Sequence, residues 1–485
     1  MPSKLRPVTI ALLAAAAIAG IGLAGLLAAG PTPPVRISID AGQRFQTMLG
    51  WQITARAWEQ DKVANRYDAS WLEHRDAIMG VLVEEAGITR LRIQLQSGTE
   101  NPVDWWGRFF AGEIGYKELK SHYYEKINDN DDPMQADPAG FSFTHLDYQV
   151  ENMLLPMREL VEARGERLEV SFCYVDFRWT EHKGTLSHAR TPEEYAELIL
   201  EAFRHLRDRW GIVPDTLEVI LEPDNTDHWR GRQIGEGSMA ALRRLADEGF
   251  TPRLVLPSTA DARRAVPYFD EAVQVPGVSD HLYSLSYHRY DGPRASRALE
   301  QIRERAAAFG IPAEMLEYTK GSDVELAEDL TIANVAGWQL YSMAAPLAEG
   351  ETPPDPSSVL VHVTRGPDGS RAALSPQGRV LAPYFRTIRP GAVRIGATSS
   401  DRGFVPVAFV DAAGGTVAVI RSDRGGAVEV AGLPPGRYVP SVATRQAGPT
   451  DLPEVEVAAG GSLGATIPPE GVLAIRAVAP NPGLK

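Results

Sequence analysis

Two glutamates in this chain each close an apolar run of the kind that forms a buried strand. Glu222 ends Thr216-Leu-Glu-Val-Ile-Leu-Glu222 and is followed by Pro-Asp-Asn225, while Glu317 lies in Ala313-Glu-Met-Leu-Glu317-Tyr-Thr-Lys-Gly321. Where parallel strands close into a barrel, their C-terminal ends converge on one mouth. Two carboxylates held about 5 to 5.5 Å apart there suit retaining cleavage of a glycosidic bond, one as nucleophile and the other as acid and then base. Either glutamate alone reads more simply as a salt-bridged surface residue; the pair, on the fourth and seventh runs, is what carries the chemistry. Glu314 competes with Glu317 from three residues away. Strand alternation is expected to turn the two to opposite faces, so that only one points inward, and the Tyr-Thr-Lys-Gly context points to Glu317.

Positioning such a pair requires a barrel, and the chain reads as one. From Arg36 onward, Val/Ile/Leu-rich runs alternate with amphipathic stretches, as in repeated βα units. Eight runs stand out: Phe45 to Thr54, Ile88 to Leu95, Leu168 to Val175, Thr216 to Glu222, Arg253 to Pro257, Leu282 to His288, Ala313 to Thr319 and Val335 to Met343. Their spread fits a (β/α)8 TIM barrel of about 250 residues with insertions. The clearest helix is Pro192 to Trp210, with Pro at its first position, Thr191 and Glu194 as an expected capping box, and Tyr195, Leu198, Ile199, Ala202, Phe203 and Leu206 along one face. The largest insertion, Gln96 to Leu146, carries Trp105, Trp106, Phe109, Phe110, Tyr116, Tyr123 and Tyr124. It follows the second strand on the active face, where these rings either stack on sugars or pack on one another.

Beyond Gly350 the pattern changes to short β-like runs separated by Gly and Pro turns, as in an antiparallel β-sandwich. The expected organisation is an N-terminal segment over 1–30, a catalytic barrel over 31–350, a connector over 351–390 and a sandwich over 391–485, joined by a strand at 35–40. The first segment has Lys4 and Arg6 followed by 23 uncharged residues, Val8 to Gly30, and then Pro31. That is an export signal, either cleaved or kept as a membrane anchor. With 49 Lys+Arg against 63 Asp+Glu, the net charge of −14 argues against nucleic acid as a partner. A lone Cys173 excludes an internal disulfide and a cysteine-based zinc site.

Other motifs fail on context. Gly235-Glu-Gly-Ser-Met-Ala240 follows a polar stretch where a dinucleotide site needs a buried strand. No P-loop, H-E-x-x-H or G-x-S-x-G is present. Asn128-Asp-Asn-Asp-Asp132 offers calcium-type ligands but lacks the glycine and distal glutamate of an EF-hand, and reads as a solvated loop.

In order and spacing the chain resembles the retaining glycosidases of clan A, and among them glycoside hydrolase family 30. Phe45-Gln-Thr-Met-Leu-Gly50-Trp51 is similar to the family's first-strand region, Ser286-Tyr-His288-Arg-Tyr290 to its sixth strand, and Tyr384 to Ile395 to its return from barrel to sandwich. The resemblance implies Glu222 as general acid/base and Glu317 as nucleophile, a carbohydrate substrate, and no metal or organic cofactor. It leaves one departure: the asparagine that precedes the clan's acid/base, which donates to a sugar hydroxyl, is Leu221 here.

Around the pair, the candidate substrate-binding residues are Trp51, Arg92, Asp176, Trp179, Asn225, His288, Tyr290, Tyr318 and Trp338. Arg92 either holds Glu317 ionised or serves as a structural ion pair at the rim. His288 either orients a carboxylate or a hydroxyl, or is a satisfied core histidine, and Asn225 or His288 are the candidates to replace the missing asparagine. Trp338 is either a floor beneath the sugar or a barrel plug. Arg56, Arg92, Arg178, Arg289 and Lys320 make either a pocket for an acidic sugar or ordinary charge balance. Two functions follow: an exported retaining β-glycosidase, or a noncatalytic carbohydrate-binding relative with a site degraded by Leu221.

Overall fold

The computed structural model describes residues 33–58, 69–177, 182–290, 296–348, 350–354, 357–366 and 369–478. The N-terminal segment over 1–30 lies outside them. Among the described residues, no helix is long and apolar enough to cross a membrane.

Eight parallel strands close into a barrel: β1 (Gly50–Thr54), β2 (Arg90–Gln96), β3 (Glu169–Val175), β4 (Thr216–Glu218), β5 (Arg253–Thr259), β6 (Leu282–His288), β7 (Ala313–Glu317) and β8 (Val335–Leu340). Their outward side chains, among them Ile53, Leu91, Phe172, Leu217 and Leu254, are buried under the surrounding helices in one continuous core. The helix Pro192–Trp210 buries the six-residue stripe expected from its spacing and ends at Gly211, whose left-handed φ of 65° stops it. Thr191, however, makes no side-chain cap. Glu194 instead turns to the insertion and accepts from Asn128 Nδ2 at 2.7 Å, a tertiary contact that overrides the local capping box.

The first apolar run proves to be two elements. Val35–Thr47 pairs antiparallel with Val393–Ser399 and parallel with Gly426–Ala431, and only Gly50–Thr54 enters the barrel. The break falls at Gly50, whose φ of 133° lies outside the range open to most side chains and whose added Cβ would meet Thr89 and Arg90.

The C-terminal sheet has ten strands and is antiparallel apart from the Val35 pairing. Period-two alternation divides its side chains between two cores. Ala418, Ile420, Leu473 and Ile475 face the sandwich interior with Ile37, Val430 and Leu463. Val417, Val419, Val472 and Ala474 face the barrel core, beside Tyr384 and Phe385 of the helix Pro376–Thr387. The stretch between barrel and sandwich is therefore structured: Ser342–Leu347, Val359–Gly366 and Gly369–Leu374 form a three-stranded sheet ahead of that helix.

Candidate active site

Inside the barrel, charge is arranged in two tiers set by β2. Arg90 and Arg92 are two residues apart and share the inner face. Arg90, at the bottom, pairs with Glu169 at 2.7 Å and with Glu314. Arg92, fully buried, pairs with Glu317, reaches Glu218 at 3.4 Å and donates to Thr54 Oγ1 at 3.0 Å. Burial opposes its charge, but Glu218 and Glu317 hold its pKa above the ordinary value. Gln339 Nε2 donates to the same Thr54 hydroxyl at 2.6 Å.

Glu314 and Glu317 thus both reach the interior, which corrects the expectation from alternation. The reason is a bulge. Met315 pairs with Tyr287 and Glu317 with His288, so β7 advances two residues while β6 advances one. The extra residue, Leu316, restores the inward direction at Glu317.

Glu222 is reached differently from the sequence reading, because the ladder of β4 stops at Glu218. Glu222 lies beyond it in the left-handed region, φ 48° and ψ 58°, at the head of the turn Pro223–Asn225. The strain is held by neighbours: Glu222 N donates to Ser258 O at 3.0 Å, and Asp224 accepts from Ala260 N at 2.7 Å. Glu222 and Glu317 are only 6% and 5% exposed. An oxygen of each and a ring nitrogen of His288 all lie within 4.8 Å of one another.

Around these carboxylates the hydrogen bonds fix a direction. Asn225 Nδ2 donates to Glu222 Oε2 at 2.6 Å, and His288 Nδ1 lies 2.9 Å from Glu222 Oε1. His288 Nε2 lies 3.2 Å from Ser258 Oγ, which in turn donates to Glu218. A hydroxyl whose proton goes to a carboxylate can only accept from the ring, so Nε2 carries the hydrogen. Burial lowers the His288 pKa, which keeps the ring neutral and leaves Nδ1 as an acceptor. Its partner Glu222 Oε1 must then supply a proton. Electrostatics points the same way: burial pushes the Glu222 carboxyl up to about 7, against the Asn225 hydrogen bond that pulls it down, so the protonated form is well populated near neutral pH. On the other side, Tyr290 donates to Glu317 Oε1 at 2.9 Å, and burial with the Glu317 charge raises its own pKa. A cavity of about 460 Å³, lined by Asn225, Tyr290, Asp224 and Arg264 among others, opens directly onto these two hydrogen-bonding partners.

The site therefore brings together Glu222, Glu317, Arg92, Asn225, His288 and Tyr290, with Tyr318 at its edge in edge-to-face contact with Tyr290, ring centres 5.8 Å apart. It does not bring in three others. Trp51 faces outward, stacked on Phe385 at 4.5 Å with its indole N–H on Ile388 O. Trp338 is its partner in register and also faces outward, fully buried with its N–H on Asp329. The inward neighbours are Gln52 and Gln339, so neither tryptophan forms a floor. Asp176 is fully buried and accepts from Lys126, His228 and Trp229, which anchors the insertion rather than facing the mouth. Trp179 and Arg178 lie outside the described residues.

The aromatic insertion packs on itself. Trp106, Tyr123 and Tyr124 form a buried cluster with Cys173, Val175 and Leu221, and Trp105 stacks on His122. Of the expected basic group, Arg289 is bound to Glu328 and Asp329, Arg56 lies over the Tyr341 ring and Arg92 is paired with Glu317. Residues missed from sequence are Thr54, Glu218, Ser258 and Gln339. Only Glu218 carried a signal, standing four residues before Glu222 in the same strand phase.

No family model matches this sequence, and no curated protein matches it. Solved structures do. The catalytic domain of GH30 xylanase C from Talaromyces cellulolyticus superposes with TM-score 0.63 at 14% identity, covering 92% of this chain and 100% of that one. The fold is that of the family 30 glycoside hydrolases. The family 30 subfamily 8 xylanase Xyn30A from Clostridium acetobutylicum gives TM-score 0.62 at 17% identity, covering 92% of this chain and 100% of that one. The endo-β1,6-glucanase BT3312 gives 0.58 at 12%, covering 91% of this chain and 94% of that one. At these identities the likeness is one of fold, and the chemistry rests on the residues just described.

Proposed function

We propose that this protein is an exported retaining β-glycosidase that hydrolyses a glycan or glycoconjugate by double displacement. The observation that supports the reading best is two buried carboxyl groups with oxygens within 4.8 Å, one held by Arg92 and the other with its pKa raised to about 7. Retaining enzymes hold their carboxyl groups about 5 to 5.5 Å apart, against about 6.5 to 9.5 Å where a water must fit between them.

Glu317 attacks the anomeric carbon as Glu222 gives its proton to the departing oxygen, forming a glycosyl ester and a Glu222 carboxylate. Glu222 then takes a proton from the water that attacks the same carbon, and Glu317 leaves as the carboxylate. Tyr290 and Arg92 hold Glu317 in place, while Asn225 and His288 hold Glu222. Export is supported by Lys4 and Arg6 ahead of the uncharged Val8 to Gly30, with delivery to the medium, the periplasm or the envelope.

Digestion of a glycan panel by the full chain, with the anomer of the first product read by NMR, tests the reading. The expected result is a product of unchanged β configuration and a loss of at least ~10³-fold in Glu317→Gln and Glu222→Gln. An inverted product sinks the retaining mechanism. Glycan binding without hydrolysis across the panel would make the chain the noncatalytic relative that Leu221 suggests.

A further inference from the structure

A second carboxylate cluster lies away from the catalytic pair, where the insertion meets the barrel. Glu100 follows the turn Ser97–Thr99 at the end of β2, Asp129 belongs to the acidic run Asn128 to Asp132, and Glu194 occupies the first turn of the helix Pro192–Trp210. An oxygen of each lies within 4.8 Å of the other two, and Glu100 and Glu194 are 1% and 2% exposed. The cations nearby are committed elsewhere. Lys126 Nζ donates to Asp176 at 3.2 Å, and Arg244 lies 3.5 Å from Glu197, donating also to Pro133 O and Glu193 O.

A separate observation points to a bound cation. Glu194 Oε2 is buried with no N–H or hydroxyl donor, and its carboxyl is set against that of Glu100, a costly state for two carboxylates. Its other oxygen shares the Asn128 amide with two more acceptors: Nδ2 lies 2.7 Å from Glu194 Oε1, 3.0 Å from Leu186 O and 3.1 Å from Glu100 Oε1, and has only two hydrogens. Asp129 is supplied by Asn130 N and Nδ2 at 2.8 Å each and by Asp137 N, so the shortage of protons falls on the two glutamates. The frame around them is fixed: an added Cβ at Gly140 would collide with Asp129, and one at Gly184 with Asn128. His188 Nε2 holds the second Glu100 oxygen at 2.5 Å.

We propose that Glu100, Asp129 and Glu194 bind a calcium ion that ties the insertion to the barrel. Oxygen donors alone select a hard cation over zinc, and ligands about 2.3 to 2.6 Å from calcium stand as much as ~5 Å apart across it, the spacing seen here. Magnesium demands a tighter octahedron and keeps more of its water.

The test is calorimetric titration of the EDTA-stripped full chain with CaCl2, alongside melting curves with and without the ion. Saturable binding of one calcium per chain and a Tm rise of ~3 °C at about 1 mM CaCl2 are expected, with a smaller response to MgCl2. Glu194→Gln and Asp129→Asn should fold, by circular dichroism, yet lose that response. A parent with no saturable heat and the same Tm in CaCl2 and EDTA overturns the proposal and leaves a cluster held by shared protons. A Glu194→Gln protein that responds like the parent also overturns it, by placing the calcium elsewhere.

Discussion

Removing Asn225 should extend the activity of this protein to higher pH, the opposite of what losing a polar contact at the site suggests. Burial raises the Glu222 carboxyl from 4.5 to about 7, and the largest opposing influence is the hydrogen bond from Asn225 Nδ2 at 2.6 Å. A hydrogen bond to a charged group is worth about 1.5 to 3 kcal/mol, and 1.36 kcal/mol moves a pKa by one unit. Asn225 is half-buried, so water replaces part of what is lost, and the lower figure applies. Asn225→Ala should therefore lift the alkaline midpoint of kcat/KM from about 7 to ~8. The sign follows from the role: a general acid works only while protonated, so a higher pKa keeps it active to higher pH. Stability moves with it. A buried acid with a raised pKa stabilises the fold fully below its unfolded value, and that contribution is lost as pH rises through the folded value. The assay is the pH profile of kcat/KM on a cleaved β-glycoside. Lost sugar contacts would change the height of that profile, not its midpoint. A midpoint that stays put removes Glu222 as the titrating acid, and one that falls removes Asn225 as its donor.

Arg92→Met leaves Glu218 and Glu317 buried without their shared cation, and should cost about 3 to 5 kcal/mol in urea unfolding at pH 7, with hydrolysis lost as well. A loss below about 1 kcal/mol would show that Thr54 and Tyr290 suffice to hold the carboxylates. Restoring the clan's asparagine by Leu221→Asn should not raise kcat/KM, because Leu221 is 3% exposed among Trp106, Tyr123 and Tyr124 rather than facing the sugar. It should instead destabilise by about 2 to 4 kcal/mol, read in the same unfolding assay, and a gain in rate would refute that placement.

Much of this architecture was legible in the sequence because the barrel strands are apolar runs and because strand ends converge. The eight runs, the helix from Pro192 to Trp210 and the two glutamates could be placed from pattern alone. What escaped depends on which way a side chain turns. Trp51 and Trp338 sit next to Gln52 and Gln339, and the absolute phase of a strand buried on both faces leaves no alternation of polarity to read. The division of Phe45 to Thr54 between sandwich and barrel rests on the backbone at Gly50. Glu194 satisfies every local rule for a capping box, yet a partner 66 residues away in sequence, Asn128, takes it. Ser258 became part of the site only through the fold, since no motif surrounds it.

On the proposed reading, the bulge at Leu316 decides which glutamate can react. Arg90 and Arg92 stand two residues apart, Glu314 and Glu317 three, and a regular strand could present only one of those glutamates to the arginines. The bulge lets both pair, at different depths. At Glu314 the space is closed: a Cβ added to Gly337 would strike both Arg90 and Glu314, so no sugar can approach. At Glu317 the partner across the gap is Glu222, with a proton. In the proposed reaction that pairing keeps the charge of a buried carboxyl pair constant. Glu317 loses its negative charge on forming the ester at the moment when Glu222 gains one by releasing its proton, so no net charge is created between these two buried groups. The next step is prepared by the same exchange. With Glu317 esterified, Arg92 has one carboxylate fewer to compensate, and its positive charge bears more strongly on the Glu222 anion. Glu222 then remains ionised long enough to act as base on the incoming water, and its proton returns only when Glu317 is an anion again.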